Sequence, residues 1–410
     1  MKVILHVDIN SFFASCHMAE DKTLENKPVV VAPNKLRSII VTANYVARKY
    51  NIKAGDPLFL AKEKCDSLVV IKSDFSLYVK YAEKFFNLLK KYTNLIEIAS
   101  IDECFMDVTT TLKNYNSVKE LCAIIQKDVL TELQLPVSIG ASFNKTFAKI
   151  ASDLKKPLGI TIINEHNYQQ VIWPLSIHSV SGLGKKSCNK LNTLEIFTIN
   201  DLVQYELTSN ESLTVFNLIT KFKAKLTGND LKDTIISSDN SIKSIGNEET
   251  FEKDFILYED INNFFKKISN HISLRLKNRV VVGNVIYFTI KYADQNTKKI
   301  TRQIKLKDYT SDANVIYKNA INLFEKYWNN KAIRLLGVGV SNLLNKFEQK
   351  EQISLNEIMS NNKIKNITTK ISKITNSKVI TGDRFLEEKY INDQQNKYIE
   401  ADKVKVKKGR

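Results

Sequence analysis

The sequence predicts an α+β protein built from more than one domain. Three observations carry this. Before about residue 165, short apolar runs alternate with stretches whose apolar residues recur at helical spacing. From 166 to 235 the pattern turns helical, and from 244 a strand–helix–strand–strand–helix–strand order begins. A length of 410 residues suggests about two to four domains.

Taken in order, Val3 to Ile9 is a buried strand and Ser11 to Ala19 a helix. Pro28–Ala32 and Ser38–Val41 are β-branched strands, and Asn44 to Tyr50 is helical. Ser76 to Tyr92 has helical spacing. Strands Ile96–Ser100 and Cys104–Val108 follow, joined at Ile101-Asp102-Glu103. Val118–Leu133 is an amphipathic helix, Val137–Ser142 a strand, and Lys145–Leu154 a helix stopped before Pro157. In the helical stretch Gly182-Leu183-Gly184 is the main punctuation, and residues 236–243 read as a polar tether. The second unit places strands at 244–252, 281–292, 299–307 and 332–343, with helices at 258–277 and 312–328. After Asn345 the chain is polar, with one helical stripe (Ile364, Ile367, Ile371, Ile374) and a basic end.

The chain carries 61 Lys+Arg against 44 Asp+Glu, so 61 − 44 = +17. That excess suits a polyanion such as nucleic acid, although a Lys-rich composition produces it as readily. Five scattered cysteines without a CxxC pair argue against a zinc site or disulfide framework and for a reducing cytoplasm. No apolar run approaches the ~20 residues of a membrane span, and no signal peptide is read before Lys2-Val3.

The chemistry concentrates in three carboxylates. Asp8 closes the first strand, and Asp102-Glu103 lie between two later ones. Carboxylates at strand ends, far apart in sequence, can anchor metal ions for phosphoryl transfer. Taken singly, Asp8 is better read as a helix cap, and Asp102-Glu103 as a turn.

Together the motifs resemble the Y-family, or translesion, DNA polymerases. His6-Val7-Asp8-Ile9-Asn10-Ser11-Phe12-Phe13-Ala14 is similar to the family's first motif, and Ser100-Ile101-Asp102-Glu103 to its second carboxylate motif. Thr42-Ala43-Asn44-Tyr45-Val46-Ala47-Arg48 resembles its nucleotide-gripping helix, followed by Ala54-Gly55-Asp56-Pro57. Ile139 to Lys145, Ala148 to Ser152 and Lys156-Pro157-Leu158-Gly159 resemble a further signature. Val180 to Gly184 resembles its helix-hairpin-helix; Lys243 to Gly246 and Ile333 to Val338 resemble the two ends of its little finger. The resemblance covers about residues 1–345 in the family's order.

It implies a right-hand polymerase: palm 1–20 and 75–165, small fingers 21–74, helical thumb 166–235, linker 236–243, a split-βαβ little finger 244–345 and a basic tail 346–410. It implies that Asp8, Asp102, Glu103 and the Ile9 carbonyl bind two Mg²⁺. Phe13 would lie under the incoming sugar and exclude a ribose 2′-hydroxyl, while Phe12 packs beside it. Thr42, Tyr45, Arg48 and Lys156 would hold the triphosphate, Tyr45 and Arg48 from one helical face. Gly182, Gly184, Lys185 and Lys186 would grip DNA without reading its sequence. So would Ser244, Lys299, Arg302 and Arg334; alternation puts Lys299, Thr301, Gln303 and Lys305 on one face, and Lys298, Arg302, Ile300 and Ile304 on the other.

The implied activity is template-directed addition of deoxynucleotides to a primer, with low processivity, no proofreading segment and a monomeric chain. Two departures stand out. Asn10 and Ser11 replace an acidic and a small or aromatic residue, and Asn356 ends the segment Gln352-Ile353-Ser354-Leu355-Asn356, which is otherwise similar to a sliding-clamp peptide anchored through Gln352 and Leu355. The long tail leans toward the family's UmuC-like branch rather than its DNA polymerase IV branch. A silent DNA-binding adaptor would have lost its carboxylates. A palm-type nucleotide cyclase would lack the Gly182 turn and the second α+β unit.

Overall fold

The N-terminal apolar run folds into β1 (Ile4–Ile9), buried along its whole length. It belongs to a computed structural model that describes residues 2–33, 37–207, 212–227, 242–294 and 298–348. The chain divides into two units. One comprises the chain up to Ile242 with Thr250–Phe255; the other comprises Lys243–Glu249 and the chain from Ile256 on.

In the first unit, α1 (Phe12–Glu20) starts from Ser11, which holds a left-handed φ of 46°. Next come β2 (Val29–Val31), β3 (Thr42–Ala43), α2 (Tyr45–Arg48), α3 (Leu58–Lys64) and β4 (Val69–Ile71). Their sheet has the order β3-β2-β4 and packs over Ile40, Ala47, Ile52 and Leu58. The chain continues through α4 (Phe75–Leu89), β5 (Ile96–Ile98), β6 (Glu103–Asp107), α5 (Val118–Leu133), β7 (Val137–Ser142), α6 (Lys145–Leu154) and β8 (Ile160–Ile162). These strands and β1 form a five-stranded sheet, β5-β6-β1-β7-β8, with β1 at its centre.

Alternation along β1 sends its side chains to two different layers. Leu5, Val7 and Ile9 enter a core with Tyr78, Phe85, Leu121 and Ile125 from α4 and α5. His6 faces α6, its Nδ1 lying 2.8 Å from Ser152 Oγ. Gly140 stands opposite His6 in β7, and a Cβ there would lie 2.1 Å from the Ala148 carbonyl oxygen. Bare backbone at that point lets α6 lie directly on the sheet. Asp8, two residues beyond His6, therefore faces α6 as well.

The helical stretch holds α7 (Tyr168–Ile172), α8 (Lys185–Asn192), α9 (Ile199–Gln204) and α10 (Leu213–Leu226). Their core of Ile172, Cys188, Leu202 and Phe222 incorporates Phe147 and Ile150 of α6. A capping box between Thr198 and Asp201 starts α9.

The second unit has the expected strand–helix–strand–strand–helix–strand order: β9 (Ser244–Phe255), α11 (Tyr258–Asn278), β10 (Val281–Tyr292), β11 (Ile300–Thr310), α12 (Ala313–Glu325) and β12 (Ile333–Asn345). The sheet order is β11-β10-β12-β9. Phe288 meets Phe324 of α12, which in turn meets Phe265 of α11, so both helices pack on one sheet face.

Several boundaries differ from the sequence reading. Ser38–Val41 is not a strand. Ile39 makes an isolated bridge to Pro57, and the ladder with β2 forms only at Thr42 and Ala43. The segment's backbone is taken up by residues 55–58 instead: the Ile40 N–H donates to Asp56 O, and Ile40 O and Ser38 O accept from Gly55 and Leu58 N–H. The helix read at Asn44–Tyr50 is the four-residue α2, with Asn44 as its cap. Glu103 is the first residue of β6 rather than part of the connecting turn. α3, β4 and β8 were unforeseen; the two strands have three residues each, too short for alternation to show. All five cysteines are free and buried. Among the described residues no helix is long and apolar enough to cross a membrane. Most of the tether at 236–243, the end of the helical stretch, the Ile364 stripe, Gln352 and Leu355 lie outside the described residues.

Candidate active site

Sheet pairing unites two of the carboxylates. Asp8 on β1 stands directly opposite Glu103 on β6, and the Ile9 N–H donates to Asp102 O at 3.0 Å. Both pairings occur at one end of the central strands. Residues 8 and 103 share the face that His6 and Phe105 present to α6.

That helix delivers two ammonium groups. Lys149 Nζ donates to Glu103 Oε2 at 2.5 Å and to Asp8 Oδ2 at 3.4 Å. Lys156, just beyond α6, donates to Asp8 Oδ1 at 2.7 Å and lies 2.8 Å from Asp153 Oδ1. Asp8 is only 8 % exposed, and burial raises its pKa even against the two lysines. Glu103 moves the other way. The His6 ring edge, 3.5 Å from its Oε2, and then Lys149 hold it well below the usual carboxylate range. Burial alone would lower both lysines, but their carboxylate neighbours outweigh it and raise them. His6 is kept low by burial.

Asp102 accepts from Ser100 Oγ at 2.5 Å. Lys149 bridges two of the three carboxylates and Ser100 engages the third, and among the described residues no three such side chains are grouped around a common point. The donor set nevertheless suits magnesium. Four carboxylates (Asp8, Asp102, Glu103, Asp153) against two ammoniums leave a formal 2 − 4 = −2, all from hard oxygen donors.

Around this centre Phe12 is buried and Phe13 partly exposed. The Phe13 ring stacks on Tyr78 at 4.3 Å and meets the edge of Phe75 at 6.3 Å. Tyr78 is held by His17, whose Nε2 lies 3.0 Å from the phenol oxygen. Thr42 opens β3, the partner strand of β2, and Tyr45 and Arg48 lie on α2. Arg48 is preorganised: Nε donates to Ala43 O at 3.0 Å and the guanidinium sits 4.4 Å over the Tyr45 ring. Burial raises the Tyr45 pKa, against the opposing pull of the Arg48 guanidinium.

The remaining sequence-selected residues lie elsewhere. Gly182 has φ 90°, which a glycine accepts freely, and Gly184 caps α8, whose first turn exposes Lys185 and Lys186. In the second unit Ser244 opens β9, and Arg334 lies half-buried in β12. Lys299 pairs with Glu248. Register aligns Thr301 with Thr289 and Gln303 with Tyr287 on the sheet face away from the helices. Arg302 aligns with the buried Phe288 on the helix side, and its guanidinium lies 5.1 Å from the Tyr327 ring.

Sequence reasoning gave no role to Lys149, His6 or Tyr78. For Lys149 a signal existed: Lys149 and Asp153 stand at i, i+4 spacing on one face of the helix, facing the same sheet as Asp8.

The sequence matches the impB/mucB/samB family over residues 7–153 and its C-terminal domain over residues 242–355. The chain belongs to this family, the Y-family translesion DNA polymerases, and is a DNA-directed DNA polymerase. It is 36% identical over 384 residues, 92% of each chain, to DNA polymerase IV 1 of Bacillus subtilis (strain 168). It is 33% identical over 409 residues, 98% of this chain and 96% of the other, to DNA polymerase IV of Oceanobacillus iheyensis. That second match runs through the tail, so tail length does not point away from relatives of this name. Among solved structures, a Y-family DNA polymerase chimera of Dbh and Dpo4 has the same fold, with a TM-score of 0.71 at 24% identity over 83% of this chain and 99% of the other.

Proposed function

We propose that the chain extends a primer 3′-end opposite damaged or undamaged template by two-metal phosphoryl transfer, through Asp8, Asp102 and Glu103. The observation that carries this is the Asp8–Glu103 strand pairing with Asp102 beside it. Two magnesium ions, when bound, would supply Lewis-acid charge to the attacking hydroxyl and the triphosphate. The three carboxylates and the Ile9 carbonyl would hold them. Lys149 offsets one of the two charges of the Asp8–Glu103 pair and orients both carboxylates. Thr42, Tyr45, Arg48 and Lys156 bind the triphosphate, and Phe13, backed by Tyr78, closes the space beside the sugar.

In this reading the five-stranded sheet is the palm, the small sheet with α2 and α3 the fingers, α7–α10 the thumb and the second unit the little finger. Gly182, Gly184, Lys185, Lys186, Ser244, Lys299 and Arg334 contact phosphates, which makes binding sequence-independent. Arg302 reaches DNA from the rim of its sheet, given its place over Tyr327. The enzyme works as a monomer of low processivity without proofreading, and the segment from Gln352 to Leu355 docks on a sliding clamp.

The test is primer extension with deoxynucleotides across a panel of defined template lesions. Synthesis past at least one lesion, stopped by chelation and restored by magnesium, is expected. Inability to extend even undamaged template would overturn the reading. A second result is expected at α2. Arg48→Ala should raise KM for the incoming nucleotide about 10-fold to 100-fold, the loss of one or two charge-assisted hydrogen bonds. Arg48→Lys should recover only part of this, because a point charge lacks the fork already aligned on Ala43 O and Tyr45. Steady-state single-nucleotide insertion measures both.

A further inference from the structure

Asn10 is 1 % exposed, and its polar groups reach three other elements. Its backbone N–H donates to Pro136 O at 2.8 Å, and its carbonyl accepts from Ser15 Oγ of α1 at 2.7 Å. Its side-chain Nδ2 donates to Ser138 Oγ of β7 at 3.0 Å. Its Oδ1 accepts the Leu158 N–H at 2.8 Å and lies 3.1 Å from Ser138 Oγ.

Leu158 is the telling partner. It has φ 59°, a left-handed conformation that a bulky side chain adopts only when its surroundings impose it. Asn10 grips its N–H from one side. Gln126 Nε2 grips its carbonyl from the other at 3.0 Å, and the same amide donates to Val137 O at 2.9 Å. Two residues before this clamp stands Lys156, whose ammonium meets Asp8 Oδ1. Lys156 has a long, flexible stem, so the direction from which it reaches Asp8 depends on where the following backbone is pinned.

We propose that Asn10 is a positioning residue for Lys156. It fixes the return after α6 through the Leu158 N–H and so sets the ammonium where a nucleotide triphosphate must arrive. The inference rests on the reading of Lys156 as a triphosphate contact. A merely structural asparagine would matter for stability alone. A positioning one must show itself in nucleotide affinity, and through Lys156 specifically.

The experiment is single-nucleotide insertion by the full chain, with melting temperature recorded alongside. Asn10→Ala should raise KM for the incoming nucleotide about tenfold while kcat changes by less than about threefold. Asn10→Asp should hold KM near the wild-type value, since a carboxylate accepts from both Leu158 N–H and Ser138 Oγ–H. Lys156→Ala should raise KM by a similar factor, and Asn10→Ala added to it should do nothing further. Should Asn10→Ala fail to fold, Asn10→Ser keeps a hydroxyl for Ser138 but is too short for Leu158, and the same KM rise is expected. If Lys156→Ala raises KM and the Asn10 variants do not, or if the two effects multiply, Asn10 has no positioning role. If Lys156→Ala leaves KM unchanged, the triphosphate reading of Lys156 fails, and this inference with it.

Discussion

Asp102→Ala should lower the rate of primer extension by at least on the order of 10³-fold while the protein stays folded. The two halves of this expectation have separate causes. Asp102 leaves the ladder just before Glu103, and its backbone carbonyl is held by Ile9 N–H, so its carboxylate is presented beside the Asp8–Glu103 pair. Removing it takes away anionic charge where the proposed mechanism gathers its cations. Its own bond within the fold is to Ser100 Oγ, half-exposed, and losing it should cost about 1 kcal/mol or less. Glu103→Ala should be as damaging to activity and more damaging to the fold. It strips Lys149 of its shortest partner and leaves the ammonium facing Asp8 at 3.4 Å and Asp153 at 3.9 Å. A loss of about 1–3 kcal/mol is expected for a half-buried pair broken on one side. Glu103→Gln, nearly the same size, should separate the two effects. Extension assays with magnesium, paired with thermal melts, read both. Wild-type synthesis by Asp102→Ala and by Glu103→Ala would remove these carboxylates from catalysis.

Phe13→Ala should raise ribonucleotide incorporation relative to deoxyribonucleotide by on the order of 10²-fold. An added hydroxyl is rejected strongly only where a rigid group fills its place, and Phe13 is made rigid by its neighbours. Tyr78 stacks on it at 28° between ring planes, Phe75 meets it edge-on, and Phe12 lies 5.4 Å away. Tyr78 is in turn tied to His17. Truncation should also cost about 1–3 kcal/mol of stability, from lost ring contacts and a partly collapsible gap. The decisive quantity is the ratio of kcat/KM for the two nucleotides, which is insensitive to loss of folded protein. An unchanged ratio would take the gate role from Phe13.

How far the fold could be read from the sequence varied with element length. β1, α5, β7 and the second unit were legible, because their apolar periodicity extends over six residues or more. β4 and β8 were not; three residues carry no period, and the equally short β2 and β5 were legible only from the longer apolar stretches around them. The segment before Thr42 looked like a strand because it is β-branched, yet the backbone bonds of Ser38 and Ile40 go to residues 55–58 rather than into the sheet ladder. Asn44 shows the opposite case: a capping residue whose Oδ1 accepts from both Ala47 N and Val29 N, marking the start of α2 and fastening it to β2.

The site divides along the same line. Residue identities and motif order, matched to a known family, nominated Asp8, Asp102, Glu103, Phe13, Tyr45, Arg48 and Lys156, and alternation separated Arg302 from Thr301 and Gln303. Those are one-dimensional properties, set by side-chain chemistry and by the period of a strand or helix. Which groups meet was another matter. Asp8 opposite Glu103, Lys149 between them, Tyr78 under Phe13 and Asn10 on Leu158 are contacts between residues 46 to 148 positions apart. Strand register and the seating of α6 on Gly140 create them, and both depend on how whole elements pack rather than on any local pattern.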